Sequence, residues 1–371
     1  MNVEPGFGRF FLPGPTEVRS EVLAGMLRPM IPHRGAVFED FFGRLQTGLR
    51  TVFRTTRPVF VSSSSATGLM EAAVRCAPPG AILSLVNGAF SARFAEISAS
   101  CGRDTDLVEA PWGSTVALDE VARQLASRHY AALTVVHSET STGALTDVRA
   151  VAELAHEHGA LCLVDSVSGV GGAPLRADEW GLDFVLTGSQ KALALPPGLA
   201  FGVASAVYME QASRAEARGK YFDVLEFARY AERNETPNTP AISLLYALDV
   251  QLASLATEGM EQRWERHAAM AHECWAWAAS FADRGGAELA ILAPAGSRSP
   301  TVSAIVLPES LRGPDVVAAV AARGFTIGAG YGKLRERTVR IGHMGDHDRT
   351  TLGGCLEACG DAIEELSRSR R

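Results

Sequence analysis

The chain has 371 residues, of which 47% are hydrophobic and 21% are charged, and its formal net charge is −7. This composition is typical of a folded globular protein, and the length suggests two or three domains. The negative charge argues against a broadly basic nucleic-acid-binding surface. No apolar run approaches the roughly 20 residues of a membrane helix, and the first six residues lack the layout of a secretory signal.

The cysteines form no recognisable ligand or disulfide pattern. The chain has six of them, scattered and without a CxxC pair. In a chain of this size, that distribution predicts reduced thiols and a cytoplasmic protein. Cys355 and Cys359 could share one helix face, but two thiols alone make a poor metal site, so no metal is expected.

The first two thirds of the chain alternate between strand and helix patterns. An opening rich in Pro and Gly is followed by helical apolar spacing over Phe38–Arg50. The later apolar runs are continuous, which is typical of strands that are buried on both faces of a parallel sheet. The predicted strands are Pro58–Ser62, Ala81–Val86, Ala131–His137, Leu161–Ser166, Phe184–Thr187 and Ala200–Ala206. The predicted helices between them include Gly68–Cys76, Leu118–Ser127 and Asp147–His158.

This alternation predicts an α/β domain with a central, mostly parallel sheet and flanking helices. A long helical pattern from Ala241 to Glu258, continuing through Met260–Arg284, leads out of it into a smaller α+β domain. The elements predicted there are a strand at Thr301–Leu307, a helix at Pro314–Arg323, a strand at Thr338–Gly342 and a helix at Asp348–Arg368. We expect an N-terminal segment of residues 1–16, a large domain of residues 17–255 and a small domain of residues 256–371.

Lys191 and Asp165 are the strongest candidates for chemistry. Asp165 ends one predicted strand, and Lys191 follows the next strand in the sequence Leu-Thr-Gly-Ser-Gln-Lys. Ligands of parallel α/β sheets bind at the carboxyl ends of the strands, where these two residues lie. A lysine amine beside a carboxylate suits pyridoxal-phosphate chemistry, because the amine forms a Schiff base and the carboxylate keeps the pyridine nitrogen protonated.

The segment 61–68, Val-Ser-Ser-Ser-Ser-Ala-Thr-Gly, follows a predicted strand and opens a helix. Small residues with free N–H groups at a helix N-terminus form a phosphate cradle, to which Ser65 and Thr67 add hydroxyl donors. An ordinary N-cap loop is the alternative for this segment.

Three further residues follow or interrupt predicted strands. Phe90 is either a ring that stacks on a flat heterocycle or a core residue, and Thr140 either donates to a phenolic oxygen or belongs to a simple turn. Arg340 interrupts an apolar strand and needs an anionic partner. That partner is either a substrate carboxylate or an acid of the protein itself.

Taken together, these residues make the chain resemble the class V, fold-type I aminotransferases, in particular the alanine–glyoxylate and serine–pyruvate aminotransferase family. The likeness extends from Leu12-Pro13-Gly14-Pro15-Thr16 to the Arg340 motif. Its most specific blocks are Glu139–Gly143 (Glu-Thr-Ser-Thr-Gly), Val164–Val167 (Val-Asp-Ser-Val) and Gly188–Ala192 (Gly-Ser-Gln-Lys-Ala).

The resemblance implies a role for each candidate. The residue matching Lys191 forms the Schiff base with pyridoxal 5'-phosphate, and the residue matching Asp165 pairs with the pyridinium nitrogen. Phe90 would stack on the ring, Thr140 would bond the ring oxygen, and Arg340 would bind the substrate carboxylate. The phosphate would be surrounded by Ser65, Ala66, Thr67 and Gln190.

The resemblance also implies a homodimer with shared active sites. The segment Thr236-Pro237-Asn238-Thr239-Pro240 resembles one that reaches the partner's phosphate, so Asn238 and Thr239 are expected cofactor contacts in trans. The sequence Pro32-His33-Arg34-Gly35 departs from the small-residue substrate loop of related enzymes. Arg34 there either reads a second anion on the substrate or is a surface arginine.

The expected reaction is a ping-pong transfer of an amino group from a small amino acid, of the alanine or serine type, to glyoxylate or pyruvate. A 2-aminoethylphosphonate donor is the alternative substrate, and a class V lyase or cysteine desulfurase is an alternative use of the cofactor. Two observations argue against the lyase or desulfurase. Those relatives have His over the ring, where this chain has Phe90. A desulfurase also needs a thiol on a mobile loop near the site, but no cysteine lies between Cys274 and Cys355. A dinucleotide-binding oxidoreductase is disfavoured, since no GxGxxG follows the first strand.

Overall fold

A computed structural model describes residues 8–281 and 288–368 of the chain. The secretory-signal expectation for the first six residues and the end of the helix predicted to reach Arg284 therefore lie outside the described residues. The helices are α1 (Ser20–Gly25), α2 (Ala36–Phe53), α3 (Ala66–Cys76), α4 (Ala89–Ser100), α5 (Leu118–Ser127), α6 (Val148–Glu157), α7 (Ala206–Ala212), α8 (Val224–Ala231), α9 (Ile242–Glu258), α10 (Met260–Ser280), α11 (Gly313–Ala321) and α12 (Arg349–Arg368).

The strands are β1 (Arg9–Phe10), β2 (Phe60–Ser62), β3 (Ala81–Val86), β4 (Thr105–Glu109), β5 (Tyr130–Val136), β6 (Ser138–Glu139), β7 (Ala144–Leu145), β8 (Leu161–Asp165), β9 (Phe184–Gly188), β10 (Ala200–Ala204), β11 (Ala290–Ile291), β12 (Ser303–Val306), β13 (Phe325–Thr326), β14 (Gly328–Ala329) and β15 (Thr338–Ile341). All six apolar runs predicted as strands are strands, so this part of the sequence prediction is confirmed.

Seven strands form the central sheet in the order β2-β10-β9-β8-β5-β3-β4. All neighbouring pairs are parallel except those of β10, which runs antiparallel to both β2 and β9. The sheet is therefore mostly parallel, as the sequence predicted. Consecutive parallel strands end at one edge of the sheet, so the loops after β3, β5, β8 and β9 converge there.

Helices cover both faces of this sheet, which explains why its strands are continuously apolar. Within β8, Leu161 and Leu163 pack with α3, α4, α7 and α8, whereas Cys162 and Val164 pack with α2, α5, α6 and α9. The sheet is thus the middle of three layers.

A second, antiparallel sheet has the order β11-β12-β15-β14 and packs against α10, α11 and α12. The beginning of the described chain joins this part, since β1 pairs with β13 and Phe11 lies in the same core. Helices α9 and α10 meet at Gly259, whose φ of +81° ends the first helix. The boundary near residue 255 between the two proposed domains stays a prediction.

Edge strand β4 had no counterpart in the sequence prediction. It offers two apolar residues, Leu107 and Val108, of which only Val108 is buried. Such a strand is held by pairing with β3 and lacks the apolar run by which the inner strands were found. No helix in the described ranges combines the length and the apolarity needed to cross a bilayer.

Candidate active site

A cavity of about 390 Å³ opens at the carboxyl ends of the parallel strands. It is the place where an α/β sheet of this kind binds ligands. Eight of the sequence-predicted site residues line it: Ser65, Ala66, Thr67, Phe90, Thr140, Asp165, Gln190 and Lys191. A second cleft, of about 570 Å³, lies on the outer side of α3 and α4 and contains none of these residues.

Lys191 lies on the loop that follows β9 and is 7% exposed. Its Nζ donates a hydrogen bond to the carbonyl oxygen of Pro13. Burial, assisted by the nearby charge of Arg340, lowers the pKa of Lys191 to about 8, against the opposing attraction of Asp165. A lysine in this state is more readily the free amine that nucleophilic chemistry requires.

Gly14 allows the N-terminal segment to pass directly over Lys191. Its φ is +105°, and a Cβ at this position would lie 2.4 Å from Lys191 Nζ. The next turn is fixed by Thr16, whose hydroxyl donates to the carbonyl of Lys191 at 3.0 Å and whose N–H donates to the carbonyl of Gln190. The Pro-Gly-Pro opening therefore forms one wall of the site.

Asp165 ends β8, lines the same cavity and is 3% exposed. The N–H of Val167 donates to its Oδ1 at 2.8 Å. The other carboxylate oxygen accepts no hydrogen bond from the residues that the structure describes. Burial raises the pKa of Asp165 to about 7, although the Val167 hydrogen bond and the charge of Lys191 both act to lower it. A buried acid in this state is poised to receive a cationic partner.

The N-terminus of α3 forms the third side of the site. Ser65 is its N-cap residue, but the Ser65 side chain makes no capping hydrogen bond. The N–H groups at the start of the helix, at Ala66 and Thr67, are therefore available beside the cavity. Gln190 lies next to them, since a Cβ on Gly188 would be 2.7 Å from Gln190 Oε1 and 3.4 Å from the Ala66 methyl.

A buried carboxylate, Glu139, joins the loop after β5 to the start of α4. Its oxygens accept hydrogen bonds from the N–H groups of Phe90, Ser91 and Ser141 at 2.9–3.3 Å. The negative charge is stabilised at the helix N-terminus. This arrangement fixes Phe90 above Lys191, whose Nζ is 5.9 Å from the centre of the phenyl ring.

Thr140, the next residue after Glu139, shares a 2.5 Å hydrogen bond with the hydroxyl of Ser168. Arg340 adjoins the cavity at this point, because its Nη1 donates to the carbonyl of Thr140 at 3.2 Å and its Nε donates to that of Ala329. It does not line the cavity. The sequence left a substrate carboxylate and an internal acid as its possible partners. No described acid pairs with it.

The remaining predicted residues lie elsewhere in this chain. Asn238 and Thr239 are exposed in a surface groove, and Thr239 Oγ1 is 3.4 Å from Nε2 of His33. Arg34 is also exposed, with its Nε 3.8 Å from Glu235 and its guanidinium over the Tyr230 ring. One chain alone therefore brings none of these residues to the cavity.

Arg93 and Tyr331 are among the cavity residues that sequence reasoning missed. Arg93 lies three positions after Phe90 on α4, so helical spacing from Phe90 was a usable signal. Tyr331 follows β14 and is 238 residues from Arg93 along the chain, so no local sequence pattern indicated that it belongs to the site. The number of lysines would also have indicated Lys191, because the chain has only three, Lys191, Lys220 and Lys333. Of these, only Lys191 is buried.

The family model for aminotransferase class V matches residues 59–331. The chain belongs to the class V aminotransferases. The L-aspartate–glyoxylate aminotransferase of Paracoccus denitrificans is 34% identical over 358 residues, covering 94% of this chain and 89% of that protein. The serine–glyoxylate aminotransferase of Arabidopsis thaliana is 31% identical over 366 residues, covering 95% of this chain and 89% of that protein.

Among solved structures, an alanine–glyoxylate aminotransferase from Nostoc sp. superposes with a TM-score of 0.91 at 28% identity, covering 98% of this chain and 97% of that chain. The fold is that of the fold-type I aminotransferases, as the sequence predicted. None of the six cysteines lines the cavity.

Proposed function

We propose that this aminotransferase carries pyridoxal 5'-phosphate on Lys191 and uses it to move an amino group from a small amino acid, of the alanine or serine type, to glyoxylate or pyruvate. The observation that carries the proposal is the pairing of Lys191 and Asp165 in one cavity. A buried amine of lowered pKa faces a buried acid that has no cationic partner among the described residues.

The residues around the cavity fit this cofactor. The unpartnered oxygen of Asp165 matches a protonated ring nitrogen, and Phe90 matches the face of a flat ring. The start of α3, with Gln190 beside it, suits the phosphate, because free N–H groups and the helix dipole favour an anion. Thr140 also lines the cavity, and its hydroxyl is suited to the phenolic oxygen. When bound, the cofactor supplies an electron sink for the substrate's α-carbon.

The protein's own groups perform the remaining steps. With the cofactor bound, Nζ of Lys191 would accept the proton from the α-carbon of the donor and later give it up again, so that one amine acts first as base and then as acid. Its lowered pKa favours the unprotonated amine that this step requires. Arg340 orients the substrate, because a planar guanidinium matches the carboxylate that every amino-acid donor has.

We also propose that the working unit is a homodimer whose active sites are shared. The groove of Asn238 and Thr239 and the loop of His33 and Arg34 touch each other on the surface, where a partner subunit could be reached. Nearby apolar side chains are exposed, with Leu27 86% and Met30 62% accessible. Such side chains are usually covered in an obligate assembly.

All six cysteines are free in the structure. Free thiols are typical of a reducing compartment, so we propose that the enzyme acts in the cytoplasm.

Glyoxylate is the acceptor in the names of the Paracoccus, Arabidopsis and Nostoc relatives, whereas their donors are aspartate, serine and alanine. This supports glyoxylate as the acceptor and a small amino acid as the donor.

The test is a steady-state assay of the cofactor-loaded enzyme with alanine or serine against glyoxylate and pyruvate. We expect glycine to form from glyoxylate, with parallel lines in double-reciprocal plots because the two substrates react in separate half-cycles. A cofactor-loaded enzyme that converts none of these pairs, or one whose plots intersect, contradicts the proposed reaction.

A further inference from the structure

Arg93 brings a second guanidinium to the active-site cavity. It lies one turn after Phe90 on α4, and its Cζ is 4.9 Å from the centre of the Phe90 ring. Its Nη2 donates a hydrogen bond to the hydroxyl of Tyr331 at 3.1 Å. Its Nε and Nη1 make no hydrogen bond with the residues that the structure describes. Nε and Nη1 therefore keep free N–H donors at the cavity wall.

The nearby acids do not neutralise this charge. The oxygens of Glu139 accept hydrogen bonds from three backbone N–H groups and two serine hydroxyls. Asp165 lies at the place proposed for the cofactor ring. Neither Arg93 nor Arg340 forms an ion pair with a carboxylate of residues 8–281 or 288–368. A half-buried arginine without a counter-anion favours an anionic ligand.

Tyr331 brings the two guanidiniums together. Arg93 contacts its hydroxyl, and Cζ of Arg340 is 5.5 Å from the centre of its ring. The same ring is 5.4 Å from that of Phe90. Because Arg340 is the proposed partner of the α-carboxylate, Arg93 is placed to receive a second carboxylate a short distance away on the same substrate.

We propose that Arg93, supported by Tyr331, is a specificity-determining residue that binds the side-chain carboxylate of a short dicarboxylic amino acid of the aspartate type. This inference rests on the proposed function and extends the donor range beyond neutral amino acids. Arg34, the residue that the sequence suggested for a second anion, is exposed beside Glu235 and is 41% accessible in its side chain. Arg93 therefore takes over that expected role.

The experiment compares aspartate with asparagine, which has nearly the same shape but no side-chain charge, and with alanine. Single-turnover bleaching of the cofactor absorbance is measured for wild type, Arg93→Gln, Arg93→Lys and Tyr331→Phe. Arg44→Gln is the matched control, because Arg44 also lies near a phenylalanine ring, that of Phe41, but is exposed on α2. Binding of succinate and propionate by calorimetry gives a readout that does not depend on turnover.

We expect Arg93→Gln to lower the efficiency with aspartate by roughly 10- to 100-fold, which is the value of a charge-assisted pair. Alanine and asparagine should change by less than about threefold, which is within the context dependence of such contacts. The preference of the enzyme for succinate over propionate should disappear in the same variant. Arg93→Lys should recover part of the loss, and Arg44→Gln should equal wild type.

Two results would overturn the inference. An equal loss for aspartate, asparagine and alanine would mean that Arg93 only positions Phe90 and Tyr331. A wild-type enzyme that does not prefer aspartate to asparagine would mean that no second carboxylate is read. In either case the wild-type enzyme still reacts with alanine, so the proposed aminotransferase function stands. A failure of that function appears instead as no bleaching with any donor.

Discussion

Asp165 is a buried acid and Asp346 is a partly buried one, and their surroundings shift their pKa values in opposite directions. Burial raises the pKa of Asp165 to about 7. Burial also acts on Asp346, but the charges of Arg263 and Arg19 outweigh it and hold the pKa of that carboxyl below its usual value. The first acid is suited to receive a ligand, whereas the second already has its partners.

This difference predicts how the stability of the cofactor-free protein depends on pH. Because the folded-state pKa of Asp165 lies above the unfolded value, the folded protein binds more protons between about pH 4 and pH 7, and stability falls as the pH rises through that window. Asp165→Asn has no carboxylate, so the free-energy cost of burying its charge at high pH disappears. We expect it to raise the free energy of unfolding by roughly 1–4 kcal/mol at pH 8 and to change it little at pH 4.

The measurement is urea unfolding of the cofactor-free protein at both pH values. Asp346→Asn is the control of opposite sign, because its folded-state pKa is depressed and its charge stabilises the fold above the unfolded pKa. It should destabilise the protein at pH 8. If Asp165→Asn destabilises the protein at pH 8 as well, then Asp165 is an ordinary paired acid and its surroundings have been misinterpreted.

The sequence predicted the residues of the site that directly follow apolar strands. Asp165 and Lys191 could be found because a polar residue at the end of an apolar run stands out locally. Gly14 and Tyr331 could not be assigned to the site from local patterns, since they reach it through the path of the N-terminal segment and through the second sheet. Contacts of this kind depend on tertiary packing.

At the level of elements, Arg263 on α10 connects four other segments of the chain, one of which adjoins Lys191. It is 1% exposed, and its guanidinium pairs with Glu258 and Asp346 at 2.7 and 3.0 Å. It also donates to the carbonyls of Gly171 and Ala192. Ala192 directly follows Lys191, so this arginine helps to fix the loop that carries the reactive amine.

Replacement of Arg263 should therefore be costly. Arg263→Met leaves two buried carbonyls without a donor and removes one partner from each of two acids, so we expect the free energy of unfolding to fall by roughly 3–5 kcal/mol. Arg149→Met is the control, because Arg149 pairs with Glu153 on the exposed face of α6. Unfolding of both variants by urea gives the comparison. Equal stability of the two would show that the buried network contributes nothing.

The elements themselves were predictable where burial dominates. The inner strands and helices α5 and α6 were found because apolar residues recur with the periods of their structures. Edge strand β4 and the two-residue strands were missed, because pairing with a neighbour rather than an apolar pattern defines them. Gly259, with its positive φ, separates two helices that the sequence pattern showed as nearly continuous.

At the scale of the whole molecule, the proposed sharing of active sites can be tested with hybrid dimers. One subunit carries Lys191→Ala, and the other carries Asn238→Ala and Thr239→Ala. If the groove residues act on the partner's site, each hybrid has one intact site, and a statistical mixture should regain about a quarter of wild-type activity. A mixture of Lys191→Ala with itself is the control. Confirmed subunit exchange without any recovery contradicts sharing.

The proposal that Lys191 carries the cofactor can be tested directly, because the chain has only three lysines. Lys220 is exposed beside Glu226, and Lys333 stacks on Trp112 at the surface. In the variant Lys220→Arg, Lys333→Arg, Lys191 is the one lysine that remains. The experiment is to load wild type and this variant with pyridoxal phosphate, reduce both with borohydride and map the labelled peptides.

We expect the same labelled peptide in both proteins, with the pyridoxyl group on Lys191. Lys191→Ala should give no label, although its cavity keeps the other groups that face the cofactor. A label on Lys220 or Lys333 of the wild type, or the absence of any label while the cofactor remains bound, would show that Lys191 does not carry the cofactor.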